Sequence, residues 1–503
     1  MGIELLHHLA LGFQTALSLQ NLVYCFVGVV LGTLIGVLPG LGPVPTIAML
    51  LPITYALSPV PALIMLAGIY YGSQYGGSTT SILVNLPGES SSIVTCLDGY
   101  QMACNGRAGA ALAVSALGSF FAGTCATMVV AGFAPPLSEL AFQFGPTEYF
   151  SLMVLGLIGA VVLASGSLIK AVAMIILGLL FGLVGIDVNS GVARYSLNIT
   201  ELLDGINLVP LAMGLFAFSE ILANLEHTRK REVFTSKVKG LWLNRQEFKE
   251  SAPAALRGTV VGSLLGVLPG GGAILASFAA YTVEKKVSRT PEKFGKGMIA
   301  GVAGPESANN AAAQTSFIPM LTLGIPSNPV MALLIGAMTV HNIQPGPQVM
   351  TRNAELFWGL VASMWVGNLM LLVLNLPLIG MWIKLLAVPY RLLYSAILLF
   401  CAIGVYTVQN NTVDVLLTIP LGILGYLFLK LGCEPAPLML GFILGPMMEE
   451  NLRRAMLLSY GDPSVFITSP LSAGMLLMAA GLLVVVLLPA IRKKREVVFV
   501  EGE

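Results

Sequence analysis

The sequence predicts an all-α polytopic membrane protein made of two inverted repeats, each with a re-entrant hairpin and a broken transmembrane helix. Charged residues make up 10% of the 503 residues and hydrophobic residues 56%, whereas soluble globular proteins contain about 25% charged residues. A soluble fold of this length could not cover its surface with so few charges. Two further observations indicate the repeats: a glycine-rich segment occurs twice, and Lys and Arg are concentrated in a few loops.

Apolar segments of about 20 residues, the length that crosses a bilayer, recur along the chain. The predicted crossings are 60–86, 108–134, 149–165, 168–186, 204–224, 298–323, 356–376, 386–408, 413–431, 435–448 and 470–490. Two further apolar segments, 22–57 and 256–283, are each interrupted by proline and glycine in the middle. We therefore expect these two segments to differ from simple crossings.

The distribution of Lys and Arg predicts the orientation of the chain. Seventeen of the 26 Lys and Arg residues lie in the segments 225–257, 284–297 and 491–503. Because basic loops stay inside, all three are predicted to be cytoplasmic, and the C-terminus with them. The segment 135–148 has no Lys or Arg and is predicted to lie outside. Arg453 and Arg454 fall outside in this arrangement, against the rule.

The segment 256–283 is flanked by two basic loops that are both predicted to be cytoplasmic. One straight crossing would put these loops on opposite sides of the membrane. The sequence Leu-Pro-Gly-Gly-Gly at 268–272 ends a helix. Each half of about 12 residues is roughly 18 Å long, too short to cross. We therefore predict a re-entrant hairpin, and a single kinked transmembrane helix is the alternative.

The same hairpin sequence occurs earlier in the chain. Residues 28–42 read GVVLGTLIGVLPGLG and residues 258–272 read GTVVGSLLGVLPGGG, with ten of fifteen positions identical. Glycine at every fourth position allows close helix packing. The hairpin 22–57 is predicted to open outward and the hairpin 256–283 inward, which makes the halves inverted. Inverted repeats with broken helices are typical of secondary transporters.

The repeats divide the chain into four predicted regions. Residues 1–224 form the first repeat, with hairpin 22–57 and broken span 60–86. Residues 225–255 form a basic cytoplasmic linker. Residues 256–490 form the second repeat, with hairpin 256–283 and broken span 298–323. Residues 491–503 form a cytoplasmic tail.

A polar segment lies at a corresponding place after each hairpin, YGGSTTS at 75–81 and GPESANN at 304–310. Hydroxyl, amide and carbonyl oxygens suit a small cation, and freed backbone N–H groups suit a carboxylate. The predicted cation-binding residues are Gly76, Gly77, Ser81, Glu306 and Ser307. The predicted substrate-binding residues are Gly40, Gly42, Ser78, Thr79, Thr80, Gly270, Gly272, Asn309 and Asn310. The alternative is that these hydroxyls bond back to their own helices.

Several classes of protein are disfavoured by missing motifs. The chain has no G-x-x-x-x-G-K-[ST] loop and so no ATP motor of that class. Its six cysteines form no C-x-x-C pair, and its four histidines are scattered, so no transition-metal site is predicted. No catalytic residue is predicted, and we expect the protein not to be an enzyme. A channel is the other non-enzymatic alternative.

The long motifs in both halves resemble the large membrane subunit of the tripartite tricarboxylate transporter family, the TctA type. They are GVLPGLGPVPTIAMLLPITYALSP at 36–59, YGGSTTSILVNLPGESSSIVTCLDGYQMACNGRAGAAL at 75–112 and GPESANNAAAQTSFIPMLTLGIPS at 304–327. The resemblance extends from about residue 20 to residue 490.

This resemblance implies a function and a set of partners. It implies a bacterial inner membrane, a small membrane subunit of the TctB type and a periplasmic solute-binding protein of the TctC type. It implies cation-coupled uptake of di- or tricarboxylates such as citrate, and a similarity to carriers that move by an elevator. We expect Na⁺ as the coupling ion, with H⁺ as the second choice. An uncoupled pore-forming subunit is the alternative from another class.

Overall fold

The computed structural model describes residues 2–38, 42–164, 167–187, 189–226, 240–268, 270, 272–385 and 390–487. The helices of the first half are α1 Gly2–Ala16, α2 Leu19–Gly36, α3 Pro43–Thr54, α4 Pro59–Val84, α5 Ile93–Thr95, α6 Ala108–Ala141, α7 Pro146–Leu163, α8 Leu168–Gly182, α9 Leu208–Ala212 and α10 Ser219–Glu226. π-helical turns cover Cys96–Tyr100, Ala103–Arg107 and Met213–Phe218, and 3₁₀ turns cover Ser90–Ser92, Thr200–Leu202 and Pro291–Lys293.

The second half is helical in the same way. Its helices are α11 Arg245–Gly266, α12 Gly272–Val287, α13 Ala300–Thr315, α14 Phe317–Leu323, α15 Pro329–Val340, α16 Gln348–Arg352, α17 Ala354–Asn375, α18 Ile379–Leu385, α19 Tyr390–Gln409, α20 Thr412–Lys430, α21 Pro435–Leu458, α22 Val465–Thr468 and α23 Pro470–Leu487. The strands β1 Gly185–Ile186 and β2 Ala193–Arg194 form an antiparallel hairpin. The prediction of an all-α membrane protein is confirmed at this level.

Within the described residues, four helices are long and apolar enough to cross a membrane. They are Leu19–Gly36, Ala103–Ala141, Ala354–Asn375 and Thr412–Lys430. Helices also occupy the other predicted crossings, but several, such as α7 and α8, are shorter or less apolar. The helix α15 was not predicted, because its 12 residues fall below the length of a crossing.

In each segment predicted as a hairpin, the structure has two helices, one before and one after the Pro-Gly sequence. These helices are α2 and α3 in the first half and α11 and α12 in the second. The arm α11 is longer than predicted, because it begins at Arg245, inside the segment predicted as a linker. A capping box starts it there: Asn244 accepts from the backbone of Glu247, whose carboxylate accepts from the backbone of Asn244. The prediction that both arms of this hairpin have about 12 residues was wrong.

The polar segment of the first half does not interrupt its helix. Helix α4 runs from Pro59 to Val84 without a break. The hydroxyl of Thr79 donates to the carbonyl of Tyr75, four residues earlier, a bond that is compatible with helical geometry. The hydroxyls of Ser78 and Thr80 also lie within reach of the carbonyl four residues earlier, but their shorter bonds are to Glu306 and Val37. The chain leaves the helix only at Asn85, which adopts the left-handed conformation. The predicted break inside 60–86 was therefore wrong in position.

The polar segment of the second half is also helical. Residues 304–310 lie within α13, and only Ser316 separates α13 from α14. Helix α14 ends before Gly324, which adopts the left-handed conformation, as Asn85 does, with φ 71°. In both halves the irregular backbone thus follows the polar segment.

The repeated glycines pack against the helix that follows each hairpin. A methyl group at Gly32 of α2 would collide with the carbonyl of Ile69 on α4, and one at Gly262 of α11 with the carbonyl of Ala308 on α13. The packing register relates Ile69 to Ala308, an offset of 239 residues. At this offset the segments 75–81 and 304–310 do not coincide, so the prediction that they occupy corresponding places was wrong.

Two groups of helices can be distinguished by their packing. The hairpin group consists of α2–α6 and α11–α17, in which α6 packs on α13 and α17 packs on α4. The frame group consists of α7–α10 and α19–α23, in which α8 packs on α21 and α20 packs on residues 213–226. In each group, helices of the first half pack on helices of the second half.

Buried polar contacts at one end of the hairpin group join its two halves. Asp98 accepts hydrogen bonds from the backbone N–H groups of Gly295, Gly297 and Met298 at 3.0, 2.8 and 2.7 Å. Arg107 forms an ion pair with Glu247. Asp98 and Arg107 lie close together in the sequence, and each finds a partner in the second half.

Arg453 and Arg454, which conflicted with the basic-loop rule, both form ion pairs. Arg453 contacts Glu449 at 2.6 Å and Asp187 at 3.2 Å, and Arg454 contacts Glu450 at 2.5 Å. Their positive charges are therefore balanced locally. The contact with Asp187 puts this end of α21 beside the β1–β2 hairpin.

Candidate functional site

A cavity of about 410 Å³ lies between the hairpin group and the frame group. The hairpin group contributes both hairpin breaks and the irregular segments that follow α4 and α14. The frame group contributes residues of α10, α20 and α21. Its lining residues include Gly42, Tyr70, Gln74, Glu89, Ser91, Gly270, Gly272 and Asn328.

Four helices begin at the wall of this cavity. The first residues of α3, α12, α15 and α21 all line it, at Pro43, Gly272, Pro329 and Pro435. Prolines reduce the number of free first-turn N–H groups, because Pro43, Pro45, Pro329, Pro435 and Pro437 carry none. The N–H groups of Val44, Val330 and Ala436 and of the first turn of α12 remain, and the dipole of each helix adds a partial positive charge. Among the described residues that line the cavity, none is Lys, Arg or His. The charged side chains in its lining are Glu89, Glu220 and Glu434, so attraction for an anion at this wall would have to come from the backbone.

The tip of the second hairpin is held in a conformation that favours glycine. Gly270 has φ 79°, and its N–H donates to the carbonyl of Ser327 at 2.8 Å. A methyl group at this position would collide with Ala160 of α7. The hairpin tip therefore touches the frame group through a residue without a side chain.

Glu89, at the cavity wall, is held by neutral donors. Its carboxylate accepts from Ser91 at 2.6 Å and from the amide of Asn309 at 3.1 Å. Gln74 completes the group when its amide nitrogen is oriented toward Glu89. None of these three partners carries a positive charge.

Glu306 lies behind the wall in a second buried polar group. Ser78 donates to its carboxylate at 2.5 Å, and Thr95 donates to the other oxygen. Asn310 bonds to Ser119 at 2.7 Å, and the hydroxyl oxygen of Ser307 is buried without a partner. This group is rich in oxygen atoms and is fully enclosed by protein.

The structure separates the predicted substrate-binding residues into two sets. Gly42, Gly270 and Gly272 line the cavity. Ser78, Thr79, Thr80, Asn309 and Asn310 are buried and are not among its lining residues. Gly40 lies outside the described residues. Asn309 still reaches the cavity indirectly, through its bond to Glu89.

The predicted cation-binding residues are buried around the two carboxylates. Gly77 packs against the side chain of Glu89, and Ser81 bonds to Ser92 at 2.9 Å. Gly76 packs closely against the backbone of α2. Glu306 and Ser307 are adjacent on α13.

Sequence reasoning missed Glu89 and Asn328 as site residues. Both follow a left-handed residue and a proline, in Asn-Leu-Pro-Gly-Glu at 85–89 and Gly-Ile-Pro-Ser-Asn at 324–328. This shared pattern was the available signal. The two occurrences of this pattern are 239 residues apart, whereas the two hairpin sequences at 28–42 and 258–272 are 230 residues apart. The hairpin repeat therefore does not align them.

Comparison with known proteins identifies relatives along the whole chain. The profile of the tripartite tricarboxylate transporter TctA family matches residues 22–440. The chain is 58% identical over 501 residues to the "Uncharacterized 52.8 kDa protein in TAR-I ttuC' 3'region" of Agrobacterium vitis, with all of both chains covered. It is 60% identical over 242 residues to the "Uncharacterized protein in TAR-II ttuC' 3'region" of the same organism, covering 48% of this chain and all of that one. No solved structure matches the chain.

The profile match covers most of the chain, including both hairpins and the segments around Glu89 and Asn328. This family is one of transporters, and the apolar helices described above make the chain a multi-pass membrane protein. The protein belongs to the tripartite tricarboxylate transporter TctA family.

Proposed function

We propose that the chain is the large transmembrane subunit of a binding-protein-dependent secondary transporter that imports di- or tricarboxylates, such as citrate, with Na⁺. The main support is that four helices begin at one cavity, whose charged lining side chains among the described residues are Glu89, Glu220 and Glu434, with no basic side chain. Backbone N–H groups and helix dipoles bind anions without a fixed positive charge. The volume of about 410 Å³ is adequate for a small organic acid.

Cation coupling is supported by the charges around this cavity. Glu89 and Glu306 are buried and receive hydrogen bonds from neutral groups. Adding a multiply charged anion beside them would be costly without accompanying positive charge. We assign Na⁺ to the oxygen-rich group of Ser78, Glu306 and Ser307, because hard cations prefer oxygen ligands. H⁺ is the second choice for the coupling ion.

The proposed movement is that of an elevator with inverted repeats. Its support is the packing of the two helix groups: α2 lies along α4 as α11 lies along α13, and the cavity lies between the hairpin group and the frame group. At the contact of Gly270 with Ala160, the two groups meet through residues with little or no side chain. A division of the chain between α10 and α11 is part of the same proposal.

The orientation and partners complete the proposal. Two contacts are consistent with the predicted arrangement of the crossings, in which both members of each pair lie on the same side of the membrane. Ser469 donates to Glu148 at one face, and Lys170 donates to the carbonyl of Leu431 at the other. We place the protein in a bacterial inner membrane with its C-terminus in the cytoplasm. A small membrane subunit of the TctB type and a periplasmic binding protein of the TctC type are the proposed partners, as the family normally works in a tripartite system.

The test is uptake of labelled citrate into proteoliposomes that contain the chain and both partners. Uptake above equilibrium is expected only with an inward Na⁺ gradient and the binding protein. Uptake with an inward H⁺ gradient alone would replace Na⁺ by H⁺. Equilibration without accumulation would replace the carrier by a pore.

A further inference from the structure

Glu89 and Asn328 occupy matching positions in the two halves of the hairpin group. Asn328 lies 239 residues after Glu89, the offset that also relates the left-handed residues Asn85 and Gly324. Each is the N-cap of the next helical segment. The two side chains thus leave the backbone at corresponding points of the cavity wall.

Both residues also face the break of their own hairpin. A methyl group at Gly42 would lie 3.8 Å from Cβ of Glu89, and one at Gly272 would lie 3.6 Å from Cβ of Asn328. All four residues line the cavity. Each half therefore presents one hairpin glycine and one polar side chain to the same space.

The two side chains differ in how far their hydrogen-bonding capacity is used. The carboxylate of Glu89 is occupied by Ser91 and Asn309. The oxygen of Asn328 is also occupied, because it accepts from the backbone N–H of Met331 at 3.0 Å. Its nitrogen Nδ2 is buried and makes no hydrogen bond of full geometry, although the hydroxyl of Tyr70 lies near the amide. Capping of α15 uses the side-chain oxygen of Asn328 but not its side-chain nitrogen.

We propose that Asn328 is the side chain that selects for a carboxylate, by donating its amide N–H to one substrate oxygen at the start of α15. This inference rests on the proposed function and names the contact that makes the transporter specific for a carboxylate. The cap to Met331 fixes the amide so that it presents a donor. The first turn of α12 and the N–H of Val44 in α3 bind the remaining charge of the same anion.

The variant that isolates this contact is Asn328→Asp. Aspartate caps a helix as well as asparagine does, so α15 and the fold are preserved. The substitution replaces the donor by an anionic acceptor at nearly constant size. We expect the KM for citrate to rise roughly 10- to 150-fold, the range for a lost hydrogen bond to a charged group. The maximal rate should change much less.

Asn411→Asp is the matched control. Asn411 caps α20 through the N–H of Val413 at 2.9 Å and does not line the cavity. Its substitution should leave the KM within about twofold of the wild type. A purely structural role of capping asparagines would affect both variants alike.

A second substrate tests the direction of the hydrogen bond. The experiment compares labelled citrate with a citrate monoamide, in proteoliposomes that contain the complete transporter. The carboxylate introduced by Asn328→Asp can accept from the amide of this analogue. The ratio of KM values, monoamide over citrate, should therefore fall at least about tenfold in this variant.

The possible results separate the inference from the function on which it rests. Wild-type uptake with an unchanged KM and an unchanged substrate ratio in Asn328→Asp overturns the inference and leaves the transport function standing. Equal losses in Asn328→Asp and Asn411→Asp also overturn it. Absence of uptake by the wild type refutes the proposed function, and the inference falls with it. A raised KM with the lowered ratio confirms the contact.

Discussion

Ser78 donates a 2.5 Å hydrogen bond to Glu306, which lies 228 residues further along the chain. The bond joins α4 of the first half to α13 of the second half inside the hairpin group. Both residues are at most 2% exposed. A carboxylate of one half is thus held by a hydroxyl of the other, next to the breaks that line the cavity.

The first prediction concerns this bond. Ser78→Ala removes one donor to Glu306 and one oxygen of the proposed Na⁺ site. We expect apparent Na⁺ affinity to fall roughly 10- to 150-fold, the value of one hydrogen bond to a charged group. Asn309→Ala should weaken citrate transport as well, because it releases Glu89. Uptake at varied Na⁺ and pH measures both effects, and unchanged affinities in both variants would return these residues to a packing role.

The second prediction concerns the glycines of the hairpins. Gly262→Val should destabilise the protein by about 1–3 kcal/mol, because the side chain would collide with the carbonyl of Ala308. Gly132→Ala is the control, since a methyl group there meets nothing within 4 Å. It should be neutral or slightly stabilising in a helix. Thermal unfolding in detergent measures the difference, and equal midpoints for the two variants would argue against tight packing of α11 on α13.

The third prediction concerns Asp98. Asp98→Ala leaves the N–H groups of Gly295, Gly297 and Met298 without their acceptor. Gly295 is exposed and Gly297 and Met298 are half-buried, so water can reach these N–H groups, and we expect the protein to lose about 1–3 kcal/mol of stability. Asp204→Ala, at an exposed position, should be silent. Hydrogen exchange of residues 295–298 gives the local readout, and protection equal to that of the wild type would show that Asp98 does not hold this segment.

The fourth prediction concerns Asp187 and Arg453. Hydrogen bonds from Ser190 and the backbone of Asn189, and then the charges of Arg453 and Arg194, lower the pKa of Asp187. Because the pKa of Asp187 is lower in the folded state, its ionised carboxylate stabilises the fold at pH values above the ordinary pKa of about 3.9. This stabilisation is lost as the pH falls through the pKa of the folded state. The β1–β2 hairpin should therefore loosen only below about pH 4.

Arg453→Met tests the same contact at neutral pH. It should increase hydrogen exchange in residues 185–205, whereas Arg454→Met should not, because Arg454 pairs only with Glu450 among the described residues. Equal exchange in both variants would mean that the ion pair with Asp187 does not fix the hairpin.

The sequence predicted the helical architecture well because its signals are local. Long apolar segments, the paired Pro-Gly breaks and the glycine spacing each depend on a few neighbouring residues, and helices are found at every predicted crossing within the described residues. The helix α15 was not predicted because 12 apolar residues resemble part of a crossing. The start of α11 was not predicted because its first residues are charged, although the capping box at Asn244 and Glu247 is visible in the sequence.

The site was predicted less completely because its contacts are between distant segments. The glycines Gly42, Gly270 and Gly272 were found from the hairpin repeat. The polar segments were expected to break their helices, but their hydroxyls satisfy the backbone within α4. Glu89 and Asn328 share a short local pattern, but only the packing register of α4 and α13 shows that they occupy matching positions.

The most direct test of the central claim is flux of labelled Na⁺ driven by citrate. Proteoliposomes with the chain and its partners are loaded without a Na⁺ gradient, and an inward gradient of citrate is applied together with the binding protein. The account predicts Na⁺ entry against its own equilibrium in the wild type and a strongly reduced entry in Glu306→Gln, which keeps the size of the side chain but removes its charge. Citrate entry that carries no Na⁺ in the wild type would contradict it.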